Sequence, residues 1–581
     1  MSNHKSLRAF IDGKPLDLAN GPHTVPRGAA LSVDLSSGGH WYGHGFSHVQ
    51  PLPLETGSIA NPSFAVNNIQ CPAWMCSAGY VLFADTTEVL DVRVNEGGDG
   101  LLRVRCDAAG FPLRVFRGLT LPDAHARFLS AVAWPNGSPD NRLFGDSIFC
   151  TWTQYPRCIT QSRVLDMARQ IRAREYPCST LIIDDRWESC FGELAFSRYF
   201  PDPRAMLAEL HRMGFSVWLW VTPFVNVESA VFDDLSRRGI LVRRADGSGA
   251  ALLKWWGGTA GLIDLTGDEG REWLRARLLH LRDEIGADGF KVDGGDFKYQ
   301  PALADSAWRD YSGPSGYSDA LLALVESVAP WCSETRTAWL SQRRRILWRE
   351  GGKDSHWALD NGLAALVTYA LQMSLLGYDI VMPDMVPGRV QTLVEDFPLP
   401  TDELMVRWTE ASVLMPLLQF SYFPWNYAEP AERAVRSFAL LHNALGPYLA
   451  SSAANRSKPL LRPLWYDSPA ESSLYRVADE FLLGPDLLAA PVLSAGAVER
   501  DVVIPPGDWL DAWTGASVSP GLHKRFPSPC PGIPLFVRAS NRPLTSTLRS
   551  SLSQIARGTV ATGLTTTTWR CGLTRDISTT G

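Results

Sequence analysis

The hydrophobic pattern along this chain changes character twice. From residue 1 to about 140, short runs such as RAFIDG, ALSVDLSS, GYVLFADTTEVLDVRV and GLLRVRCDAAGFPLRVFRG alternate apolar with polar positions and break at Gly, Pro, Asn and Asp. A period of two bounded by turn residues predicts an antiparallel β-sandwich. From about residue 145 the runs become compact and apolar throughout, and each ends in polar residues: STLIIDD (179–185), FSVWLWVTP (215–223), GLIDLT (261–266), GFKVD (289–293), RILWRE (345–350) and DIVMPD (379–384). Helical patterns lie between them, among them QSRVLDMARQIRARE (161–175), DPRAMLAELHRMG (202–214) and DEGREWLRARLLHLRDEIG (268–286). Strands apolar on both faces and alternating with helices predict a parallel sheet, and a series this long fits a closed (β/α)8 TIM barrel of the α/β class.

After about residue 450 strand patterns return in FLLGPDLLAAPV, RDVVIPPGDWLDAW and GIPLFVRAS, with Pro-Gly turns between them. The predicted organisation is therefore an N-terminal β-sandwich over 1–140, the barrel over 141–450 and a C-terminal β-sandwich over 451–540. Residues 541–581 are rich in Ser, Thr and Arg, include TTTT at 565–568 and hold Asp576 as their one acidic residue. They are expected to form a disordered tail.

Composition narrows the function. A net charge of -6 over 581 residues leaves no basic footprint, which argues against a nucleic-acid partner. The ten cysteines include no C-x-x-C pair, so neither a metal site nor a redox motif is indicated, and the thiols are expected to be reduced. The longest apolar stretch, 363–383, carries Thr, Gln, Ser and Asp and is interrupted by Gly377, the pattern of a buried helix followed by a strand rather than of a membrane span. The N-terminus has no continuous apolar segment of the signal-peptide kind, so a cytoplasmic location is expected. The stock of 21 Trp, 15 Tyr and 24 Phe suits ordinary cores and sugar faces alike.

Barrel active sites lie at the C-terminal strand ends, where Asp184, Asp185, Asp293 and Asp384 fall. Lys291 shares a strand face with Asp293. The pair reads either as a structural plug in the barrel mouth or as a cation holding a neighbouring carboxylate ionised for nucleophilic attack. Asp354 lies in the Gly-rich stretch GGKDSHWALDNGL (351–363), too early to cap a helix expected to begin near Asp360 or Asn361, for which Asp360 is the natural N-cap. Trp357 beside Asp354 would lower the local dielectric, the environment a general acid needs. One carboxylate kept charged and one kept protonated are the equipment of glycoside hydrolysis.

From about residue 40 to 540 the chain resembles glycoside hydrolase family 31, and within it the branch of the myogenesis-regulating glycosidase and related α-galactosidases. The segments that carry the likeness are HWYGHG (40–45), TWTQY (151–155), LIIDDRWE (181–188), VTPFVN (221–226), KWWGG (254–258), GFKVDGGD (289–296), KDSHW (353–357), LLGYDIVMPDMVPG (375–388), RWTEASVLMPLLQFSYFPW (407–425) and FLLGPDLLAAPV (481–492). The resemblance implies a retaining mechanism with Asp293 as nucleophile and Asp354 as acid/base, and Asp184 and Asp185 as the acidic pair that grips sugar hydroxyls. It implies Arg336 as a substrate-binding arginine, with Arg349 a rival for that role, and Trp187, Trp255, Trp256, Lys291, Asp384 and Trp425 around the sugar. Two positions depart from the family pattern: Asp296 where Glu is usual, and Pro387 where Gly is common. The expected activity is hydrolysis of terminal α-galactosides. An α-glucosidase or α-xylosidase is the alternative within the same chemistry, and a catalytically silent carbohydrate-binding or chaperone-like barrel the alternative of another class. No metal or organic cofactor is implied. The expected partner is a small carbohydrate, with no nucleic acid and no membrane, and the sequence leaves a homo-oligomer open.

Overall fold

The computed structural model describes residues 7–19, 22–45, 51–132, 134–135, 137–156, 158–300, 313–389 and 399–561. Its centre is a barrel of eight parallel strands: β1 (Ser147–Cys150), β2 (Cys178–Ile183), β3 (Ser216–Val221), β4 (Gly289–Val292), β5 (Ser333–Thr335), β6 (Leu347–Arg349), β7 (Val381–Met382) and β8 (Gln419–Phe420). Neighbours pair in chain order, β8 pairs with β1, and a parallel bridge from Val386 to Phe420 closes the ring between β7 and β8. Strand β4 runs so close to its neighbour that a Cβ at Gly289 would sit 1.7 Å from the Cys332 carbonyl oxygen, so glycine is required there.

The predicted helices form as read. Gln161–Ala173 is capped by Thr160, whose hydroxyl accepts the Arg163 N–H, and Pro203–Arg212 by Asp202, which accepts the Ala205 N–H. Asp268–Leu279 continues as a π-helical turn over His280–Ile285. The 363–383 stretch is a buried helix, Leu363–Leu375, followed by β7. Asp360 does not cap this helix: Gly362 stands at the N-cap, and the Asp360 carboxylate accepts the N–H of the adjacent Asn361. Among the described residues no helix is long and apolar enough to cross a membrane.

Two further expectations change. GLIDLT is not a barrel strand. Gly258–Leu262 pairs antiparallel with both Phe224–Asn226 and Leu252–Trp255, forming a three-stranded insert after β3. Its apolar run resembles a barrel strand because the insert packs Ala260, Leu262 and Ile263 into the same core. The second change concerns the chain after 541. Arg542–Ala561 is a helix laid against the long helix Glu429–Ala454, with Leu544, Leu548, Leu552 and Ile555 buried at spacings of four, four and three. That is the one-faced helical period, obscured by the Ser, Thr and Arg between. The TTTT run, Cys571 and Asp576 lie outside the described residues.

The N-terminal β-material forms two facing sheets. One runs in the order Lys14–Leu16, Ala9–Ile11, Ala30–Asp34, Leu101–Arg105, Leu90–Val94, Ile59–Phe64. The other contains Ile69–Cys76, Tyr80–Ala84, Phe111–Arg117 and His23–Val25, with Trp41–Gly45 paired to Ile69–Cys76. This second sheet also takes in Ala338–Trp339, which leaves the barrel after β5 and pairs parallel with Ile69–Gln70. At the C-terminal end, a six-stranded sheet including Phe481–Leu483, Leu487–Ala489 and Leu535–Arg538 accompanies the ribbon Glu499–Ile504/Gly521–Pro527.

Leu548→Ala should destabilise the protein by about 2–5 kcal/mol, the cost of an internal cavity under the last helix. Thermal or urea unfolding of the two proteins measures it, and an unchanged transition would mean the helix adds nothing to the fold.

Candidate active site

Asp293 directly follows β4 at the C-terminal end of the barrel. Its Oδ1 accepts from Arg336 Nε at 2.7 Å and from the Gly294 N–H at 3.1 Å, and its Oδ2 accepts from the Trp220 indole N–H at 3.1 Å. Burial pushes this carboxyl upward, but Arg336, then Arg349 and Lys291, and the Trp220 donor outweigh it and hold Asp293 below the usual carboxylate range. Both following glycines take positive φ, 87° and 82°. At Gly294 the space a Cβ would need belongs to the Phe224 ring, 2.8 Å away, so packing as well as the turn demands glycine there.

The charge partner of Asp293 is thus Arg336, not Lys291. Lys291 points into the barrel, 2.7 Å from Asp184 Oδ2 and 3.8 Å from Glu334 Oε1. Burial works against its charge, but Asp184 and the other anionic neighbours keep its pKa above the ordinary lysine value. The Cys150 thiol donates to the same Asp184 oxygen at 3.0 Å. Glu334 in turn receives Arg349 Nε at 2.8 Å, and Arg349 Nη1 donates to Asp384 Oδ1 at 3.1 Å. The result is a buried chain of alternating charge, Asp184–Lys291–Glu334–Arg349–Asp384, across the barrel interior. Arg349, the rival for sugar binding, is locked in this chain, while Arg336 stands beside Asp293 with 13% of its side chain exposed.

Asp354 lies in the loop after β6. Its Oδ2 accepts from Asn361 Nδ2 at 3.0 Å, and Arg389 Nε stands 3.9 Å from Oδ1. Its backbone is braced on both sides. The Ser355 N–H donates to the Arg389 carbonyl and the Arg389 N–H to the Lys353 carbonyl, each at 2.9 Å, which docks the PDMVPG segment along the Asp354 loop. Asp384 is fully buried, and its Oδ2 accepts from the Lys353 N–H at 2.7 Å. It is therefore a brace beneath Asp354, not part of the pocket wall.

The tryptophans divide. Trp256 is 43% exposed, at the tip of the insert, with the Arg336 guanidinium 5.5 Å from its ring centroid. Trp255 stacks parallel to Trp220 at 6.4 Å and donates its N–H to Asn226, so it backs the indole that holds Asp293. Trp187 is fully buried, packs on Phe196 and donates its N–H to the Trp220 carbonyl, which makes it a support for Trp220 rather than a sugar contact. Trp425 packs on Phe149, Phe423, Tyr176 and Arg174. Tyr176 and Arg174 precede β2, which puts that indole among residues at the entry to the strand and removes Trp425 from the site.

Two acids sit where burial dominates. Burial pushes Asp185 up to about 7, against the pull of Arg186 and with the push of Asp184 and Asp293. It pushes Glu188 up to about 8, although Glu188 Oε2 accepts the Gly192 and Leu194 N–H groups. Among the described residues, Asp185 Oδ1 and Glu188 Oε1 have no hydrogen-bond partner. Glu334, Trp220 and Asn68 were beyond the sequence reading, because nothing in SET, LWV or VNN marks them as facing a site.

Three family models match this chain. The glycosyl hydrolases family 31 TIM-barrel domain covers residues 144–452, the glycosyl hydrolase family 31 C-terminal domain 457–541, and the myogenesis-regulating glycosidase N-terminal domain 19–118. Among curated proteins, the myogenesis-regulating glycosidase of Mus musculus is 36% identical over 384 residues, which are 64% of this chain and 53% of that protein. The 1,3-alpha-isomaltosidase of Kribbella flavida is 32% identical over 376 residues, 59% of this chain and 50% of that protein. The chain thus spans about half the length of these relatives. Solved structures share the fold. A GH31 sulfoquinovosidase from E. rectale superposes with a TM-score of 0.77 at 17% identity, covering 95% of this chain and 88% of that one. A GH31 alpha-xylosidase from a soil metagenome does so with a TM-score of 0.75 at 20% identity, covering 93% and 85%.

A buried acid with a raised pKa stays protonated in the fold while its unfolded counterpart ionises, so it withdraws stability as pH rises from about 4.3 toward the folded value. Glu188→Gln should therefore gain in melting temperature relative to the parent as pH goes from 5 to 8. A constant difference across that window would show that Glu188 does not titrate there.

Proposed function

Because the chain belongs to glycoside hydrolase family 31, we propose that it is a retaining, exo-acting α-glycosidase with Asp293 as nucleophile and Asp354 as acid/base, and that its substrate is a terminal α-galactoside. The observation that carries the reading is the state of Asp293. It is a partly buried carboxylate at a barrel strand's C-terminal end, kept ionised by Arg336 and aimed by Trp220, with 15% of its side chain still open. Oδ2 accepts one bond and is the less encumbered oxygen for attack.

In the first step an Asp293 oxygen bonds to the anomeric carbon while the bond to the leaving oxygen breaks and Asp354 passes its proton to that oxygen. In the second, Asp354 takes a proton from water, whose oxygen displaces the Asp293 carboxylate, so the sugar leaves with its α configuration. Arg336 and Trp220 stay in place throughout, and the fixed charge and dipole need no reorganisation as the carboxylate forms and loses its ester.

Relatives named 1,3-alpha-isomaltosidase and alpha-xylosidase support the α linkage. The galactoside assignment draws on the similarity to the myogenesis-regulating glycosidase in both the barrel and the N-terminal region.

Hydrolysis of p-nitrophenyl α-galactoside, α-glucoside and α-xyloside tests the proposal. Release from the galactoside, with α-galactose as the first anomer seen by NMR, is the expected result; a β anomer appearing first would exclude retention. Asp293→Asn should lower kcat about 10³-fold or more. Asp354→Ala in azide should give the α-glycosyl azide. If none of the three sugars is cleaved, a carbohydrate-binding role replaces the enzymatic one.

A further inference from the structure

The arginine that neutralises Asp293 is itself held from outside the barrel. Arg336 Nη1 donates to Asn68 Oδ1 at 2.5 Å, and Arg336 Nη2 stands 3.5 Å from Asp296 Oδ2. Asn68 belongs to the N-terminal sandwich, in the bend just before the strand Ile69–Cys76. Its own N–H donates to Asp296 Oδ1 at 2.8 Å. The same bend is sewn to both barrel loops around it. The Phe297 N–H donates to the Val66 carbonyl at 2.7 Å, the Lys298 N–H to Asn67 Oδ1 at 3.3 Å, and the Ala338 N–H to the Asn68 carbonyl at 3.3 Å.

A guanidinium is a rigid planar fork, so fixing one terminal nitrogen fixes the direction of Nε as well. Here Nη1 is set by Asn68 and Nε then points at Asp293 Oδ1. Asp296, fully buried, is tied to the same amide residue through its other oxygen. We propose that Asn68 is a positioning residue for the nucleophile: from the N-terminal sandwich it fixes Arg336 against Asp293 and anchors Asp296 behind it. This rests on reading Asp293 as the nucleophile and extends that reading to a residue about 225 positions earlier. The departure at Asp296 acquires a role on the same basis, since its carboxylate meets the Asn68 N–H.

The backbone offers a clean variant. Asn68 has φ of 66°, in the left-handed region that glycine enters freely, so Asn68→Gly deletes the side-chain amide while preserving the N–H and the bend. The readout is the rate at which a 5-fluoro-α-galactosyl fluoride labels Asp293, followed by intact mass and peptide mapping from pH 4 to 8 on full-length protein. Asn68→Gly should label about 10- to 100-fold more slowly. The acid limb of its pH profile should move upward, because a loosened Arg336 no longer offsets the burial of Asp293. Its melting temperature should stay within a few degrees of the parent, and a purely structural role would move that temperature and leave the acid limb in place. If the parent protein labels at Asp293 and the variant matches it in rate and pH profile, the role of Asn68 is overturned while the nucleophile stands. If the parent labels at another residue, or is labelled by neither this probe nor its α-glucosyl and α-xylosyl counterparts, the nucleophile reading fails, and the proposal with it.

Discussion

The barrel mouth is organised by the pairing of Lys291 and Arg349 with the carboxylates of Asp184, Glu334 and Asp384. All five side chains are withdrawn from water. Charges this deep are tolerable only when each faces opposite charge at short range, because each ion left alone would cost several kcal/mol. The chain links residues of β4, β5 and β6 with residues just beyond β2 and β7, so it ties most of the ring together at the end where Asp293 emerges. Buried ion pairs contribute little net stability compared with apolar packing. Their consequence here is geometric: Asp184 is held against Lys291 just beyond β2, and Asp384 under the Asp354 loop.

Around that frame, the two proposed catalytic carboxylates are handled differently. Asp293 is approached by three donors from three elements: Arg336 after β5, Trp220 on β3 and the Gly294 amide in its own turn. The indole of Trp220 is supported in turn by Trp187 and Trp255. Asp354 is positioned mainly through its backbone, by Arg389 and the Asp384-anchored Lys353. A carboxylate that must stay charged needs donors on its oxygens, whereas one that must gain and lose a proton needs a backbone that holds it in place.

Much of this was legible in the sequence, for physical reasons. Strands β2 and β3 are mainly apolar runs because both faces are buried, and the aspartates that follow β2 and β4 mark the barrel mouth. Strand β5 escaped notice because its inward residue is Glu334, so SET has no apolar signature; β8, two residues long, lies within the longer run LLQFSYFPW. The insert strand Gly258–Leu262 imitated a barrel strand because hydrophobicity reports burial and not the direction of the neighbour. The final helix is hard to read from sequence because its apolar stripe, Leu544, Leu548, Leu552 and Ile555, is narrow and set among Ser, Thr and Arg. Lys291 was placed on the right face but given the wrong partner: spacing along one strand shows which residues share a face, and says nothing of what arrives from β2 or from the loop after β5. Tryptophans were the least legible, since Trp187, Trp255, Trp256 and Trp425 differ only in what surrounds them.

The strand Ala338–Trp339 carries a consequence for how such chains can be recombined. As stretches of sequence, 19–118 and 144–452 match separate family models, which suggests modules that could be exchanged at the junction between them. As folding units they interpenetrate, because a segment of the second supplies an edge strand to a sheet of the first. A chimera joined at that junction would set a foreign strand edge against Ala338–Trp339, and mismatched edges are where sheets slip register or pair with other molecules. Exchange between relatives is thereby confined to sandwiches that travel with their own version of the segment after β5, so the two regions are expected to have diverged as a single inherited block.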